Sequence, residues 1–233
     1  DPKVRQALSL AIDRNYVAKT LMQGTYTAAP NFIGTAVVDW DGSPFMKNAN
    51  GGKPYINIDD FQGNLAKAKQ LLAEAGYPNG KGFPTIKYST NDAGYHKVVA
   101  QYLQQAWKEL GITVNVDVVE WATFGDYEVS RNGWLFDYND PSNMLDLFYS
   151  TNGNNDGKYK SAEYDALMDK AAAEADAKTR SGYLHQAEDA MMKDAACIPV
   201  AYYNDFYLQN SKITGSWHSP YGYWYFQYAD IQG

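Results

Sequence analysis

Cysteine is almost absent from this sequence. Cys197 is the only one among 233 residues, so the chain forms no internal disulfide and has no cysteine-based metal site. It lies in the apolar stretch "AACIPV", where a single cysteine is typical of a small core residue rather than of a reactive thiol. Cysteine usage therefore leaves the redox compartment open.

Long apolar runs and runs of positive charge are missing as well. No stretch reaches the about 18 apolar residues of a membrane-spanning helix. The formal net charge is −7 without a Lys/Arg run, so neither nucleic acid nor an anionic membrane is a predicted partner. The chain starts with "DPKVRQALSLAIDR", a helix start rather than a signal peptide, so we expect a mature protein or an excised piece.

Histidine is scarce, and the common catalytic motifs do not occur. His96, His185 and His218 lie far apart without an HExxH pairing, and there is no nucleophile elbow, P-loop or G-x-G-x-x-G. We expect His185 at the surface. His96 follows a strand, where α/β folds often bind ligands, although a structural role is its default interpretation. No cofactor is predicted, and hydrolytic or nucleotide chemistry has no visible carrier.

Apolar periodicity predicts an α/β fold. A first helix ends near Gly24, and residues 25–58 form a long loop region. Two units follow, "NLAKAKQLLAEAG" with "TIKYST" and "YHKVVAQYLQQAWKELG" with "ITVNVDVVEW". Each gives a helix, a glycine stop and a strand, which favours crossover units with helices flanking a sheet.

The rest of the chain predicts shorter elements. A short strand in "YEVSRNGW" precedes a short helix that begins at Pro141, and two longer helices follow in succession. "IPVAYYNDFYLQN" predicts a strand pair or a bent strand, and the last twenty residues predict aromatic coil. Tyrosine and tryptophan, with 20 and 6 residues, are frequent where proteins meet ligands, although large α/β proteins also use them as core.

The stretch "GWLFDYNDPS" at residues 133–142 places a carboxylate among large apolar side chains. Asp137 follows Trp134, Leu135 and Phe136, in a setting where an unpaired buried charge is costly. Two interpretations stay open: Asp137 turns or caps the chain, or it faces an aromatic-walled cavity that accepts an ammonium group. Asp140, next to Pro141, is the better helix-start candidate.

The spacing of a calcium loop is nearly met after residue 151. The matching positions are Asn152, Asn154, Asp156, Gly157 and Glu163. The first position is Asn rather than Asp, and Lys158 and Lys160 lie inside the loop, so only two carboxylates remain. We therefore favour a Gly/Asn turn followed by a helix capped at Ser161.

Four segments in a fixed order resemble the oligopeptide-binding proteins of ABC importers. They are "DPKVRQALSLAIDR", "AKQLLAEAGYP", "GWLFDYNDPSNMLDLFYS" and "IPVAYYNDFYL". The first two are shared across the dipeptide, oligopeptide and nickel-binding superfamily, whereas "GWxxDYNDP" is the more specific element and points to the oligopeptide branch. The resemblance implies a periplasmic-binding-protein-like lobe with a mixed sheet flanked by helices, part of a two-lobed fold that closes on an extended peptide.

The same resemblance implies which residues touch the peptide. Asp137 would pair with its α-amino group, and the segment from Trp134 through Leu135 to Phe136 would pair with its backbone. Arg131 and His96 would lie near its carboxyl end.

Family members are about twice as long, so the chain resembles their C-terminal half. Residues 1–197 would form one peptide-binding lobe, and residues 198–233 would return to the other. The missing half would carry a secretion or lipid-anchoring signal and the opposite cleft wall. The connection between "EWATF" and "YEVSRNGW" is several residues shorter than is usual for the family.

The resemblance therefore implies an extracytoplasmic solute receptor without catalysis. Its partners would be an oligopeptide, a transporter permease, and the missing half or a second copy of the chain. Three alternatives stay open. They are the same fold with another ligand (a dipeptide, a peptide pheromone or a nickel chelate), a hydrolase that uses Asp137 or Asp140 as acid or base, and a purely structural module. We expect residues 198–233 to expose apolar aromatics, and the chain alone to bind peptide weakly.

Overall fold

A computed structural model of the chain describes residues 1–120, 125–219 and 221–233. Its α-helices alternate with strands in the first half and follow one another in the second half. They are α1 (Pro2–Leu10), α2 (Arg14–Tyr16), α3 (Phe61–Glu74), α4 (His96–Lys108), α5 (Ser142–Leu145), α6 (Ala162–Ala173) and α7 (Ala177–Lys193). The π-helical segment Val17–Leu21 continues α2, and the 3₁₀ helix Asp146–Phe148 continues α5.

The strands are short. They are β1 (Tyr26–Ala28), β2 (Ile86–Thr90), β3 (Val114–Val118), β4 (Val129–Ser130), β5 (Ala201–Tyr203), β6 (Ile213–Thr214), β7 (Trp217–His218), β8 (Trp224–Tyr225) and β9 (Asp230–Ile231). The predicted end of β3 at Trp121 and the shortened connection after it include residues 121–124, which lie outside the described residues.

A parallel sheet with the order β3-β2-β4 positions the site. Ile86 pairs with Val114, and Tyr88 pairs with Val116 on one side and Val129 on the other. Helix α4 connects β2 to β3, so the predicted crossover unit and the α/β class are confirmed. The antiparallel pairs β1–β5, β6–β9 and β7–β8 form separate ladders.

Two groups of buried side chains hold the chain together. The first core cluster packs α1, α3 and α4 on the parallel sheet, where the buried Trp107 donates its Nε1–H to the Leu8 carbonyl at 2.9 Å. The second core cluster joins α5, α6 and α7 to the loop before α3, which contributes Ile33 and Phe45. The loop over residues 25–58 is thus partly a packed element. None of the described helices combines the length and apolar composition that a membrane crossing requires.

The prediction of one helix up to Gly24 was wrong. Helix α1 ends at Leu10, and Asp13 begins a second helix because its carboxylate accepts the N–H of Tyr16 at 2.9 Å. The break also lets Arg14 turn inward. Its guanidinium donates to the carbonyls of Ser9 and Pro199 at 2.9 and 2.8 Å, which satisfies a cation that is only 1% exposed.

His185 corrects a second prediction, because it is not a surface residue. Its Nε2 lies 2.9 Å from Asp39 Oδ2, and its ring stacks on Phe45 with centroids 3.9 Å apart. The loop that carries Asp39 and Phe45 covers this turn of α7, a contact between residues 146 positions apart. Cys197 packs against the second core cluster as predicted, and burial raises the pKa of its thiol.

The C-terminal segment differs in part from prediction. Only Ala201–Tyr203 of the predicted extended pair is a strand, and it pairs with β1. The last residues form the ladders β6–β9 and β7–β8 rather than coil. The expected exposure is confirmed, because Phe206 and Tyr228 are 66% and 79% exposed. Ile198 still packs against the first core cluster, and the division at residue 197 stays a prediction.

Candidate functional site

The carboxyl ends of β2 and β4 bring two of the sequence-predicted residues together. His96 lies at the start of α4, after β2, and Arg131 directly follows β4. Both reach the hydroxyl of Tyr203, at the end of β5. His96 Nε2 lies 3.4 Å from this oxygen, and the Arg131 guanidinium donates to it with its Cζ 5.9 Å from the ring centroid.

The trio of Arg131, Tyr203 and His96 forms a chain of hydrogen bonds in which each residue donates to the next, and His96 donates to Asn91. His96 Nδ1 lies 2.7 Å from Asn91 Oδ1, and because that oxygen only accepts, Nδ1 carries the proton. The lone pair on Nε2 then accepts from the Tyr203 hydroxyl, while Arg131 donates to the same hydroxyl. Burial, together with the positive charge of Arg131, lowers the pKa of His96 to about 4. At neutral pH the positive charge of the trio is therefore that of Arg131.

Tyrosine rings surround this point. Tyr26 meets Tyr203 edge-on with centroids 4.7 Å apart and meets Tyr95 edge-on at 6.0 Å. Sequence reasoning missed Tyr26 and Tyr203 as site residues. The high tyrosine count was the available indication, but the pairing of β1 with β5 that brings these rings together spans most of the chain. The result is a cationic point with aromatic walls at the carboxyl end of the parallel sheet.

The segment after Arg131 leaves the sheet with free main-chain donors. Arg131 N–H still donates to the Ser89 carbonyl at 2.9 Å. Beyond it, the N–H groups of Trp134, Leu135 and Phe136 have no hydrogen-bond partner within residues 1–120, 125–219 and 221–233. The side chain of Leu135 is 70% exposed. Such a stretch of unpaired main chain offers a template for an added strand.

Trp134 attaches this segment to the second core cluster. Its ring packs against the second core cluster, and its Nε1–H donates to Asn143 Oδ1 at 2.8 Å. Asn143 is 6% exposed, and its side-chain N–H₂ lies 3.4 Å from Asp137 Oδ2. Asp137 itself is exposed. No backbone N–H of the described residues donates to its carboxylate, so it neither caps a helix nor closes a turn there.

Asp140 has a larger role than a helix start. Its Oδ1 accepts the N–H of Ser142 at 2.9 Å, and both of its oxygens pair with the Arg180 guanidinium at 2.8 Å. Burial alone would raise the pKa of Asp140, but the hydrogen bonds from Arg180 and Ser142 outweigh it and lower that pKa. Sequence reasoning missed Arg180, which lies on α7, 40 positions away.

The near-match to a calcium loop has another structure. Asn152 Oδ1 accepts the N–H of Asn154 at 2.8 Å, and Asp156 Oδ2 accepts from the Asn132 side chain at 2.6 Å. Glu163 lies in the first turn of α6, which the Ser161 hydroxyl caps as predicted. Among the described residues, no three His, Cys, Asp or Glu side chains lie where they could hold a metal ion together.

Comparison with known proteins identifies a family and several relatives with similar sequences. The family model for bacterial extracellular solute-binding proteins, family 5 (Middle) matches residues 1–156. The dipeptide-binding protein DppE of Bacillus subtilis is 33% identical over 236 residues, covering 97% of this chain and 42% of that protein. The periplasmic oligopeptide-binding protein OppA of Salmonella typhimurium is 33% identical over 233 residues, covering 95% and 39%.

A solved structure gives the same result. Haemophilus influenzae OppA in complex with the peptide RPPGFSPFR has a TM-score of 0.78 and 26% identity, covering 100% of this chain and 46% of that one. The chain spans only about two fifths of the length of the two curated relatives, at 42% and 39%. The resemblance drawn from the sequence motifs is confirmed: the chain belongs to the bacterial extracellular solute-binding proteins of family 5.

Proposed function

We propose that this chain forms one wall of the peptide-binding cleft of an ABC-importer receptor and holds an extended oligopeptide without cleaving it. The observation that carries the proposal is the segment 134–136. Its main-chain N–H groups are unpaired among the described residues, and it has the carboxylate of Asp137 at one end and the cationic Arg131 at the other. The names of the relatives support the same ligand class.

The amino end of the peptide would pair with Asp137. Its carboxylate is exposed, and within the described residues it accepts only from the Asn143 side chain. An ammonium group therefore has room to bind, and a charge-assisted hydrogen bond would orient the chain end. In the chain alone this pair is solvent-exposed, so we expect it to contribute little affinity until a second wall excludes water.

The carboxyl end would lie toward Arg131, whose charge can attract a carboxylate, with the neutral His96 and the Tyr203 hydroxyl beside it. A peptide with its amino end at Asp137 and its carboxyl end toward Arg131 runs antiparallel to residues 131–137. At about 3.4 Å per residue this segment spans at most about 20 Å. A fully extended peptide of about six residues would then be needed to contact both ends.

Neither Asp137 nor Asp140 is arranged to act as an acid or a base in peptide hydrolysis. Asp140 is held by Arg180, and Asp137 has only an amide beside it among the described groups, so neither carboxylate has an acid or base partner. A peptidase would also need a water activated near the scissile bond. We therefore favour a receptor over the hydrolase. A dipeptide, a peptide pheromone or a nickel chelate are alternative ligands of the same cleft.

We further propose that a second lobe, matching the part of the relatives beyond the aligned region, completes the cleft, and that the exposed aromatics after Tyr203 pack against it. The complete receptor would act outside the cytoplasm and deliver peptide to a permease. With one wall alone we expect weak binding, because the ligand stays largely hydrated.

A titration of the chain with tetra-alanine and with N-acetyl-tetra-alanine, followed by NMR, tests the proposal. We expect the free-amine peptide to bind about 1.5- to fivefold more tightly, the range of an exposed ion pair. Asp137→Asn should abolish this preference, and the control Asp41→Asn, at another exposed carboxylate, should keep it. Equal affinity for the two peptides in the unaltered chain would refute the anchor at Asp137. Cleavage of either peptide during long incubation would refute a receptor without catalysis.

A further inference from the structure

We propose that Asn143 is a positioning residue that aims the Asp137 carboxylate at the peptide's amino end. Asn143 touches no ligand in this arrangement and acts through Asp137. The inference rests on the proposed function, and it adds to it a device by which an exposed carboxylate on a loop would present one orientation to the ligand.

The orientation of the Asn143 amide is fixed by its donors. Its Oδ1 lies 2.8 Å from Trp134 Nε1 and 3.4 Å from the backbone nitrogen of Asp137. Both of these groups only donate, so the atom that faces them must be the amide oxygen. The amide N–H₂ is thereby turned toward Asp137 Oδ2, at 3.4 Å. The indole of Trp134 therefore determines which face of Asn143 the carboxylate meets.

Burial makes this arrangement stiff. Asn143 is 6% exposed at the start of α5, and Trp134 packs against the second core cluster. A buried amide with its hydrogen bonds made rarely turns over, because the turned state would place the N–H₂ against the indole N–H. Asp137 is the exposed partner, and Asn143 contacts it twice, at its backbone nitrogen and at its carboxylate, both at 3.4 Å.

The restraint leaves one carboxylate oxygen for the ligand. Asp137 Oδ2 accepts the Asn143 N–H, while Oδ1 has no partner in the part of the chain that the structure describes. An ammonium group would then bind at Oδ1 from the solvent side. Because the carboxylate is already oriented, binding does not have to order it, which is how a positioned anchor gains selectivity.

The test compares Asn143→Ala, Asp137→Asn and the double variant by titration with tetra-alanine and N-acetyl-tetra-alanine. Asn154→Ala is the matched control, since Asn154 is exposed and lies in a different loop. We expect Asn143→Ala to lower the free-amine preference about two- to threefold, equivalent to one weak hydrogen bond. In the Asp137→Asn background it should change the preference no further. A merely structural role would weaken both peptides equally.

A second variant covers the case in which Asn143→Ala unfolds the loop. Trp134→Phe keeps an aromatic ring in the core but removes the N–H that orients Asn143, and it should lower the same preference. In the ligand-free chain, the Trp134 indole N–H resonance should move in Asn143→Ala and stay in place in Asp137→Asn.

The outcomes separate the two proposals. If Asp137→Asn removes the preference and Asn143→Ala does not, the positioning role is wrong and the anchor stands. If the unaltered chain has no preference, the anchor fails and the positioning role fails with it. An indole resonance that is unchanged in Asn143→Ala would also overturn the positioning role.

Discussion

Replacing Asp39 by alanine should destabilise the chain strongly, because this carboxylate attaches the loop before α3 to helix α7. It is 6% exposed. Oδ1 accepts the N–H of Trp40 at 2.8 Å and the Ser181 hydroxyl, while Oδ2 accepts from Asn48 at 2.8 Å and from His185 at 2.9 Å. Alanine would leave these donors without a partner in a poorly hydrated place.

The structure gives the size of the effect. Ser181 is 5% exposed and the His185 side chain 16% exposed. Each buried donor left unpaired costs about 1–3 kcal/mol. We therefore expect Asp39→Ala to lower the free energy of unfolding by roughly 3–5 kcal/mol, since at least two of these donors are largely buried. At about 2 °C per kcal/mol for a chain of this size, Tm should fall by about 6–10 °C.

Differential scanning calorimetry measures this directly, with Asp41→Ala as the control. Asp41 lies in the same loop but is exposed, so its replacement should leave Tm nearly unchanged. A drop in Tm below about 2 °C for Asp39→Ala, no larger than a surface substitution causes, would refute the reasoning.

The contribution of Asp39 to the free energy of unfolding should depend on pH in a definite direction. Burial alone would raise the pKa of Asp39, but the hydrogen bonds from Asn48, Ser181 and His185 outweigh it and lower that pKa. The ionised carboxylate is thus favoured in the folded state. Its contribution is present above the unfolded pKa of about 3.9 and is lost as the pH falls through the lower folded pKa. The gap in stability between the unaltered chain and Asp39→Asn should therefore narrow in acid.

Two further predictions concern stability. Burial raises the pKa of Glu188 to about 7 from an ordinary 4.5. Between these two pH values the folded chain keeps a proton that the unfolded chain releases. The free energy of unfolding therefore falls as the pH rises from 4.5 to about 7. Glu188→Gln should remove this loss of stability, which amounts to up to roughly 3 kcal/mol. Thermal unfolding between pH 4 and 8 measures it, and a variant with the same pH profile as the unaltered chain would contradict the prediction. Gly80 has φ +74°, and an added Cβ would lie 2.3 Å from the Gly111 carbonyl oxygen, so Gly80→Ala should cost at least about 1–2 kcal/mol in denaturant unfolding. The control Gly153→Ala, with open space around it, should cost less, and equal costs would refute the argument.

The elements that sequence predicted well are those with local causes. Helices α3 and α4 have an apolar period that matches their buried face, and a glycine with positive φ follows each of them. Strands β2 and β3 pair in parallel, as the crossover pattern predicts. The break after α1 escaped prediction because the apolar period runs through it. A single capping bond at Asp13 competes there with continuation of the helix.

The candidate site also has a part that the local sequence predicts and a part that it does not. The segment from Trp134 to Asp137 is contiguous, so its motif was visible in the sequence. The trio at Tyr203 was not, because Arg131 and Tyr203 lie 72 positions apart, at the ends of strands of two separate sheets. His185 was misplaced for the same reason, since its partner Asp39 comes from a loop without periodicity. Contacts of this kind depend on tertiary packing rather than on local pattern.

A crystal structure of the chain soaked with tetra-alanine would show directly whether Asp137 binds the amino end of a peptide. The peptide ammonium should lie about 2.7–2.9 Å from Asp137 Oδ1, the distance of a charge-assisted hydrogen bond. The peptide main chain should run antiparallel along residues 134–136. A peptide bound with its carboxylate at Asp137, or one that leaves the N–H groups of residues 134–136 untouched, would contradict this arrangement.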